Sequence, residues 1–319
     1  MLFYDTNKRY NQFSAYLKDK FGAKVYKVTL DAGFSCPNRD GAISKGGCIF
    51  CDDSGSFSQA HSSNLSVAEQ LQVGIETLKH KFKAKKFLSY LQAYSNTYKN
   101  VEELEFIYNQ ALAHTDVVGL SVGTRPDCVD ERKLDLIAKY AEKYHVWLEY
   151  GLQSIHDKTL KLINRGHDYK CFENAYYKTK ERNINVCAHV ILGLPGESHE
   201  DMMATAKRLA ELKVDGVKLH MLCVLKGTAL EKMYKNSVQL LSEEEYVNYV
   251  CDFLEFLPPE TTIHRLAGNG LSSTLIAPLW LSKKFEVLNK IDRELEKRDS
   301  YQGIHFKAAC HCNDAPLLS

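Results

Sequence analysis

Four stretches, DVVGLSV (116–122), VWLEYGL (146–152), VCAHVIL (186–192) and GVKLHML (216–222), decide the fold. Each is a short and nearly continuous apolar run, and amphipathic intervals with helical spacing separate them. Such runs read as strands buried on both faces, joined by crossover helices. KVYKVTLD (24–31) and FLSYLQAY (87–94) extend the pattern toward the N-terminus. Helices are expected over 66–82, 101–113, 130–144, 156–163, 170–182 and 199–213. In the first of these, Ser66 and Glu69 match a capping box, and Val67, Leu71, Ile75 and Leu78 share one face. The expected fold class is α/β, a partial (β/α)6 TIM-like barrel, with an open doubly wound sheet as the alternative. In both layouts ligands gather at the C-terminal ends of the strands.

After Leu222 the alternation stops. A second capping box, Ser242 with Glu245, opens a helix that runs to Phe256, and Pro258-Pro259 breaks it. A short strand is expected over 261–266 and a helix over 281–298. In that helix Leu281, Phe285, Leu288, Asp292 and Leu295 fall on one stripe. The domain reading is a helical lead-in (1–23), a core barrel (24–225), a small C-terminal α/β extension (226–307) and a tail (308–319).

Composition narrows the function classes. Lys plus Arg total 41 and Asp plus Glu total 40, so a chain-wide polycation is excluded, and any nucleic-acid surface must come from local clustering. No segment has the ~18 consecutive apolar residues of a membrane span, and Met1 to Tyr10 does not read as a signal peptide. A cytoplasmic protein without a membrane partner is expected. There, ten cysteines suggest metal binding or catalysis before disulfides.

Cys36, Cys48 and Cys51 stand in FSCPNRDGAISKGGCIFC (34–51), spaced C-x11-C-x2-C. Three cysteines in a polar, Gly-rich loop are not a core pattern. The loop follows the first strand, where a barrel places its active site. Three thiolates can hold three corners of an iron–sulfur cubane with one iron left open. A zinc site with His61 as fourth ligand fits the loop equally well. Cys310-His311-Cys312 is an incomplete set and is read as a tail feature.

Taken together, this loop, GTRPDC (123–128), EYGLQSIHDKTLKLINRGHD (149–168) and HVILGLPGE (189–197) resemble the radical SAM superfamily. Within it, they are most similar to the branch of the elongator catalytic subunit and the bacterial YhcC/YtqA-type proteins. LQAYSNTY (91–98), HMLCVLKGT (220–228) and IAPLWLSKKFEVLNKID (276–292) strengthen that likeness, which spans roughly residues 24–298. The first cysteine interval is longer than is usual in the superfamily, but it agrees with this branch.

The resemblance implies a barrel of the radical SAM type and two cofactors, a 4Fe–4S cluster and S-adenosylmethionine (SAM). Cys36, Cys48 and Cys51 would be the catalytic and metal-binding residues. An external flavodoxin- or ferredoxin-like donor would reduce the cluster. The cleaved SAM would yield a 5′-deoxyadenosyl radical. Phe50 would lie beside the adenine, with ordinary packing as the competing role. Glu149 would accept the ribose hydroxyls, with a salt bridge to Arg165 as the competing role, and Gln153 and Ser154 are its polar neighbours. Leu192 and Gly193 would open a turn that meets the adenine edge. Gln92, Asn96 and Thr97 occupy the loop that meets the methionine amino group. Arg125 would bind the cofactor carboxylate or an anionic substrate, or pair with Asp127; Arg165 is open to the same choice. His189 and His220 are candidates for the barrel lining, His220 the better one.

For the substrate, the branch implies tRNA, at the C5 side chain of the wobble uridine. The run KHKFKAKK (79–86), with Lys158, Lys161, Arg165, Lys170, Lys178, Lys180 and Arg182, is the candidate phosphate-binding rim. The alternatives are radical chemistry on a small metabolite or protein side chain, and a non-catalytic zinc-stabilised RNA-binding module.

Overall fold

In the computed structural model, which describes residues 3, 6–52, 65–236, 238–268 and 274–307, the expected strands pair in chain order. A lead-in helix α1 (Phe13–Phe21) is followed by β1 (Val25–Leu30), α2 (Val67–Phe82), β2 (Lys86–Leu91), α3 (Val101–Ala111) and β3 (Val117–Thr124). Next come α4 (Glu131–Ala141), β4 (His145–Gln153), α5 (Asp157–Leu162), α6 (Tyr169–Lys180), β5 (Asn185–Leu192), α7 (His199–Leu212) and β6 (Gly216–Met221). Neighbouring strands are all parallel, as crossover helices require. The sheet is a curled partial barrel, as the strand pattern predicts. The capping boxes at Ser66 and Ser242 form as expected.

The C-terminal part contributes an antiparallel pair, β7 (Val224–Leu225) with β9 (Leu275–Ala277), and the helices α8 (Ala229–Asn236), α9 (Glu243–Phe256) and α10 (Lys284–Lys297). Its strand β8 (Thr262–Arg265) pairs in parallel with β6 and makes the sheet seven-stranded. The sequence placed that strand in an extension because the interval after β6 breaks the helical rhythm. In the structure α9 serves as its crossover.

The helix α10 departs from the expected stripe. Val287, Ile291 and Leu295 are buried, while Phe285 is 77% exposed. Leu279–Lys283 forms a 3-10 turn ahead of the helix. That turn advances three residues per turn rather than 3.6, so a stripe counted from Leu281 is rotated off the true face. Asp292, on the stripe's edge, pairs with Lys8.

The outer strands of the sheet, β1 and β8, do not pair with each other. Gln12 forms an isolated parallel bridge with Ile263, and α1 packs against both edge strands. Strand alternation then sets the lumen. Lys27 on β1, Tyr90 and Gln92 at β2, Glu149, Gly151 and Gln153 on β4, His189 on β5 and Lys218 and His220 on β6 all point inward.

Candidate active site

The cysteine loop is shaped by its own hydrogen bonds. Arg39 N and Asp40 N donate to Cys36 O at 2.8 and 3.1 Å, Gly47 N donates to Asn38 O at 2.8 Å, and Cys51 N donates to Cys48 O at 3.0 Å. Gly46 and Gly47 lie at φ +88° and +82°, where a side chain is strained. The loop is then pinned to the end of α5. Ile49 N donates to Ile163 O at 3.0 Å, and the fully buried Asn38 donates through Nδ2 to Asn164 O at 2.6 Å.

All three cysteines are free thiols and line one cavity at the C-terminal ends of the strands. Two N–H donors approach Cys48 Sγ, Asn38 Nδ2 at 3.6 Å and Arg165 Nη1 at 3.5 Å. Arg165 is anchored by Nε and Nη2 bonds to Gly151 O at 3.2 and 2.5 Å. It therefore does not pair with Glu149.

Arg125 forms the Asp127 pair, Nε to Oδ1 at 2.8 Å and Nη2 to Oδ2 at 2.6 Å. Burial alone would raise the Asp127 carboxyl, but the Arg125 bonds and charge outweigh it and hold it below its usual range. The remaining nitrogen, Arg125 Nη1, is buried without a hydrogen-bond partner among the described residues, on a residue that lines the cavity. A buried orphan donor is costly unless a ligand satisfies it.

The other expected residues divide. Phe50, Gln92, Gln153 and His220 line the cavity with the cysteines, Arg125, Glu149 and Arg165. Gln153 sits at φ 76° beside a bulge in β4, an uncommon conformation for a residue with a side chain. Asn96 and Thr97 are fully buried and do not line it. They tie the loop after β2 to the end of β3, Asn96 Nδ2 donating to Gly123 O at 2.7 Å and Thr97 Oγ1 meeting Thr124 Oγ1 at 2.6 Å. Leu192 and Gly193 also lie outside the cavity lining. Leu192 O accepts from Leu222 N at 3.1 Å, and Gly193 takes φ +82° under Leu241. Ser154 turns away and donates to Glu197. His61, Cys310 and Cys312 lie outside the described residues.

Below the cysteines, Glu149 is fully buried at the centre of a polar network. Its Oε2 accepts from Lys218 Nζ and His189 Nε2, both at 2.9 Å, and its Oε1 accepts from Lys27 Nζ at 3.3 Å. Lys218 also donates to Tyr90 Oη at 2.5 Å. Burial would raise the Glu149 carboxyl. Lys218 and Lys27, with the histidine bonds, outweigh it and hold Glu149 well below the usual carboxylate range. Burial lowers His189 to about 4, so it is neutral and donates its Nε2–H. The basin of the network is apolar, His264 lying stacked on Phe13 at 3.7 Å between ring centroids and edge-on to Trp147.

Sequence reasoning missed Lys27, Tyr90 and Lys218 as members of the lumen. The available signal was a charged residue inside an otherwise apolar strand, Lys218 in GVKLHML and Glu149 in VWLEYGL. Parallel strands buried on both faces tolerate such a charge only when it is paired. Cys223 also lines the cavity.

A family model described as the radical SAM superfamily matches residues 40–209, and one described as the radical SAM C-terminal domain matches 214–297. The chain is 43% identical over 304 residues to YtqA of Bacillus subtilis, covering 95% of this chain and 94% of that protein.

The chain belongs to the radical SAM superfamily.

Protein YhcC of Escherichia coli is 41% identical over 295 residues, covering 91% of this chain and 93% of that one. Among solved structures, the Elp3 of Methanocaldococcus infernus matches with a TM-score of 0.66 at 18% identity, over 87% of this chain and 64% of that one. The cofactors of this radical SAM chain are a 4Fe–4S cluster and SAM. The residues present fit both, because three free cysteines meet at one cavity beside the orphaned Arg125 Nη1.

Gly166 tests how the loop is held. It lies at φ +77°, and a Cβ there would stand 2.5 Å from Asn38 Oδ1. Gly166→Ala is expected to displace Asn38 from Cys48 and to lower iron retention at least several-fold while the barrel stays folded. Iron content after anaerobic reconstitution and gel filtration, set beside the circular dichroism spectrum, measures this.

Proposed function

We propose that this radical SAM enzyme cleaves SAM reductively at a cluster held by Cys36, Cys48 and Cys51, and turns the radical on an organic substrate inside the barrel. The observation that supports it most is the convergence of three free cysteines and the unpartnered Arg125 Nη1 on one cavity. When bound, the cluster and SAM supply one-electron chemistry and a 5′-deoxyadenosyl radical that takes a hydrogen atom from substrate. The chain's own residues bind and orient. Asn38 and Arg165 direct N–H groups at Cys48. Arg125 keeps one fork on Asp127 and offers Nη1 to the SAM carboxylate. Phe50 covers the adenine, and Gln92 and Gln153 offer polar contacts. Gly151, lacking a side chain, leaves room for Arg165 Nη2, which a Cβ would approach to 2.7 Å. A flavodoxin- or ferredoxin-like protein supplies the electron. Formation of 5′-deoxyadenosine from SAM by the anaerobically reconstituted, reduced protein tests this. A colourless protein carrying stoichiometric zinc would sink it and favour the zinc module.

The elongator-like resemblance supports tRNA as the substrate, at the C5 side chain of the wobble uridine. On that reading, bulk tRNA from cells lacking this protein loses a modified nucleoside in mass spectrometry; an unchanged nucleoside profile defeats it. A specific observation favours the second reading, a compact substrate. The basic run 79–86 lies between the end of α2 and the start of β2, at the mouth of the barrel opposite the cysteine loop. Several of the other expected rim cations are paired, Lys178 with Glu131, Lys180 with Asp215, Arg182 with Asp135 and Lys170 with Glu173.

A further inference from the structure

A second chamber opens in the gap between β1 and β8, where the sheet fails to close. Its floor is apolar, formed by Phe13 and Leu17 of α1, and Leu288 of α10 closes one side. Its charged wall carries Lys27, Lys218, Arg265 and Lys284, and the carboxylate of Glu149 is the counter-charge that Lys27 and Lys218 share. Arg265 forms no ion pair and no side-chain hydrogen bond among the described residues. Its guanidinium, half-buried on the chamber wall, is therefore available to an acidic ligand. Tyr90, Gln92 and Lys218 line both this chamber and the cofactor cavity, so the two spaces meet across them. Tyr90 lies under the ammonium groups of Lys27 and Lys218, at 4.8 and 4.6 Å from its ring centroid.

We propose that this chamber binds the anionic group of a compact substrate, a carboxylate or a phosphate monoester, with Arg265 and Lys284 holding the anion and the rest of the molecule reaching past Tyr90 and Gln92 toward the cofactors. The assignment of the bound molecule as substrate rests on the radical reading above; the anion site itself does not. A guanidinium fork matches both anions, while an ammonium on a separate helix adds charge without fixing geometry. The gap suits a small molecule because α1 and the Gln12–Ile263 bridge narrow it at the N-terminal side.

Titration calorimetry of the cluster-reconstituted full chain with SAM present tests this, using inorganic phosphate and succinate as separate probes. Saturable binding of one probe is expected, and phosphate or succinate binding alone names the anion. Arg265→Gln should weaken it about tenfold, equivalent to about 1.4 kcal/mol, and Arg265→Lys should recover most of the loss. Lys284→Gln, on a different element, should weaken it independently. No saturable binding of either probe, or binding unchanged in both glutamine variants, overturns the proposal. A stem-loop RNA that displaces the probe and loses its own affinity in Arg265→Gln overturns the compact substrate in favour of RNA. If SAM is not cleaved yet the probe binds through Arg265, the radical reading fails and the anion site stands. If SAM is cleaved and neither probe binds, the anion site fails alone.

Discussion

Alanine at Cys36, Cys48 or Cys51 is expected to reduce SAM cleavage to undetectable and to strip the protein of iron, from about four per chain toward zero, without unfolding it. On the proposed ligand set, a cubane held by three protein thiolates would lose a corner ligand in each variant, and no other described cysteine stands within the loop. The fold should survive because the loop's shape depends on backbone bonds and Asn38 rather than on sulfur. Cys36 and Cys51 are half-buried, and Cys48 is the buried one, so it should carry the largest of three small stability losses. The control is Cys223→Ala. Cys223 lines the same cavity but belongs to the segment after β6, and its replacement should leave iron content and 5′-deoxyadenosine yield near wild type. Iron analysis and product chromatography on the four variants decide the matter. Full activity in any one of the three loop variants refutes its ligand role.

Glu149→Gln is expected to cost ~3–5 kcal/mol of folding stability, the range for removing one partner of a buried charge pair. The variant leaves Lys218, which is 3% exposed, without its counter-ion and with Lys27 and Arg265 nearby. Burial already draws the Lys218 ammonium down to about 8 against the attraction of Glu149. The pH dependence follows from the Glu149 direction. Its folded value lies well below its unfolded one, so its contribution is fully present above the unfolded value of about 4.3 and is lost as pH falls through the folded value. The gap between wild type and Glu149→Gln should be widest near neutrality and close in acid. Urea unfolding followed across pH measures it. A gap that stays constant down to strongly acid pH would show that the loss arises from shape rather than charge.

Local pattern and tertiary context contributed differently. The six core strands were legible because each is a short, largely apolar or alternating run set between amphipathic helical intervals. The capping boxes at Ser66 and Ser242 were legible because their geometry is settled within four residues of chain. The cysteine loop was legible because ligand type and spacing lie within sixteen residues. Phe285 was misplaced because a 3-10 turn shifted the helix phase, a local event that spacing alone does not show. Strand β8 was assigned to an extension because the interval between it and β6 breaks the helical rhythm of the earlier units.

By itself, then, the sequence determined the parallel α/β alternation and the cysteine loop, since these depend on periodicity and on residue types close together in the chain; the radical SAM reading came from the resemblance of several motifs taken together. Only the tertiary structure decided what fills the lumen. A strand buried on both faces shows no alternation of apolar and polar residues, so the lone charges in VWLEYGL and GVKLHML signal that a partner is needed without saying which residues supply it. Curling the sheet brings Lys27, Glu149, His189 and Lys218 from four strands to one point. It leaves Arg265 on the far edge facing an open chamber. Charges that look isolated in the chain become a paired network beside a cationic chamber wall only when distant strands are placed side by side.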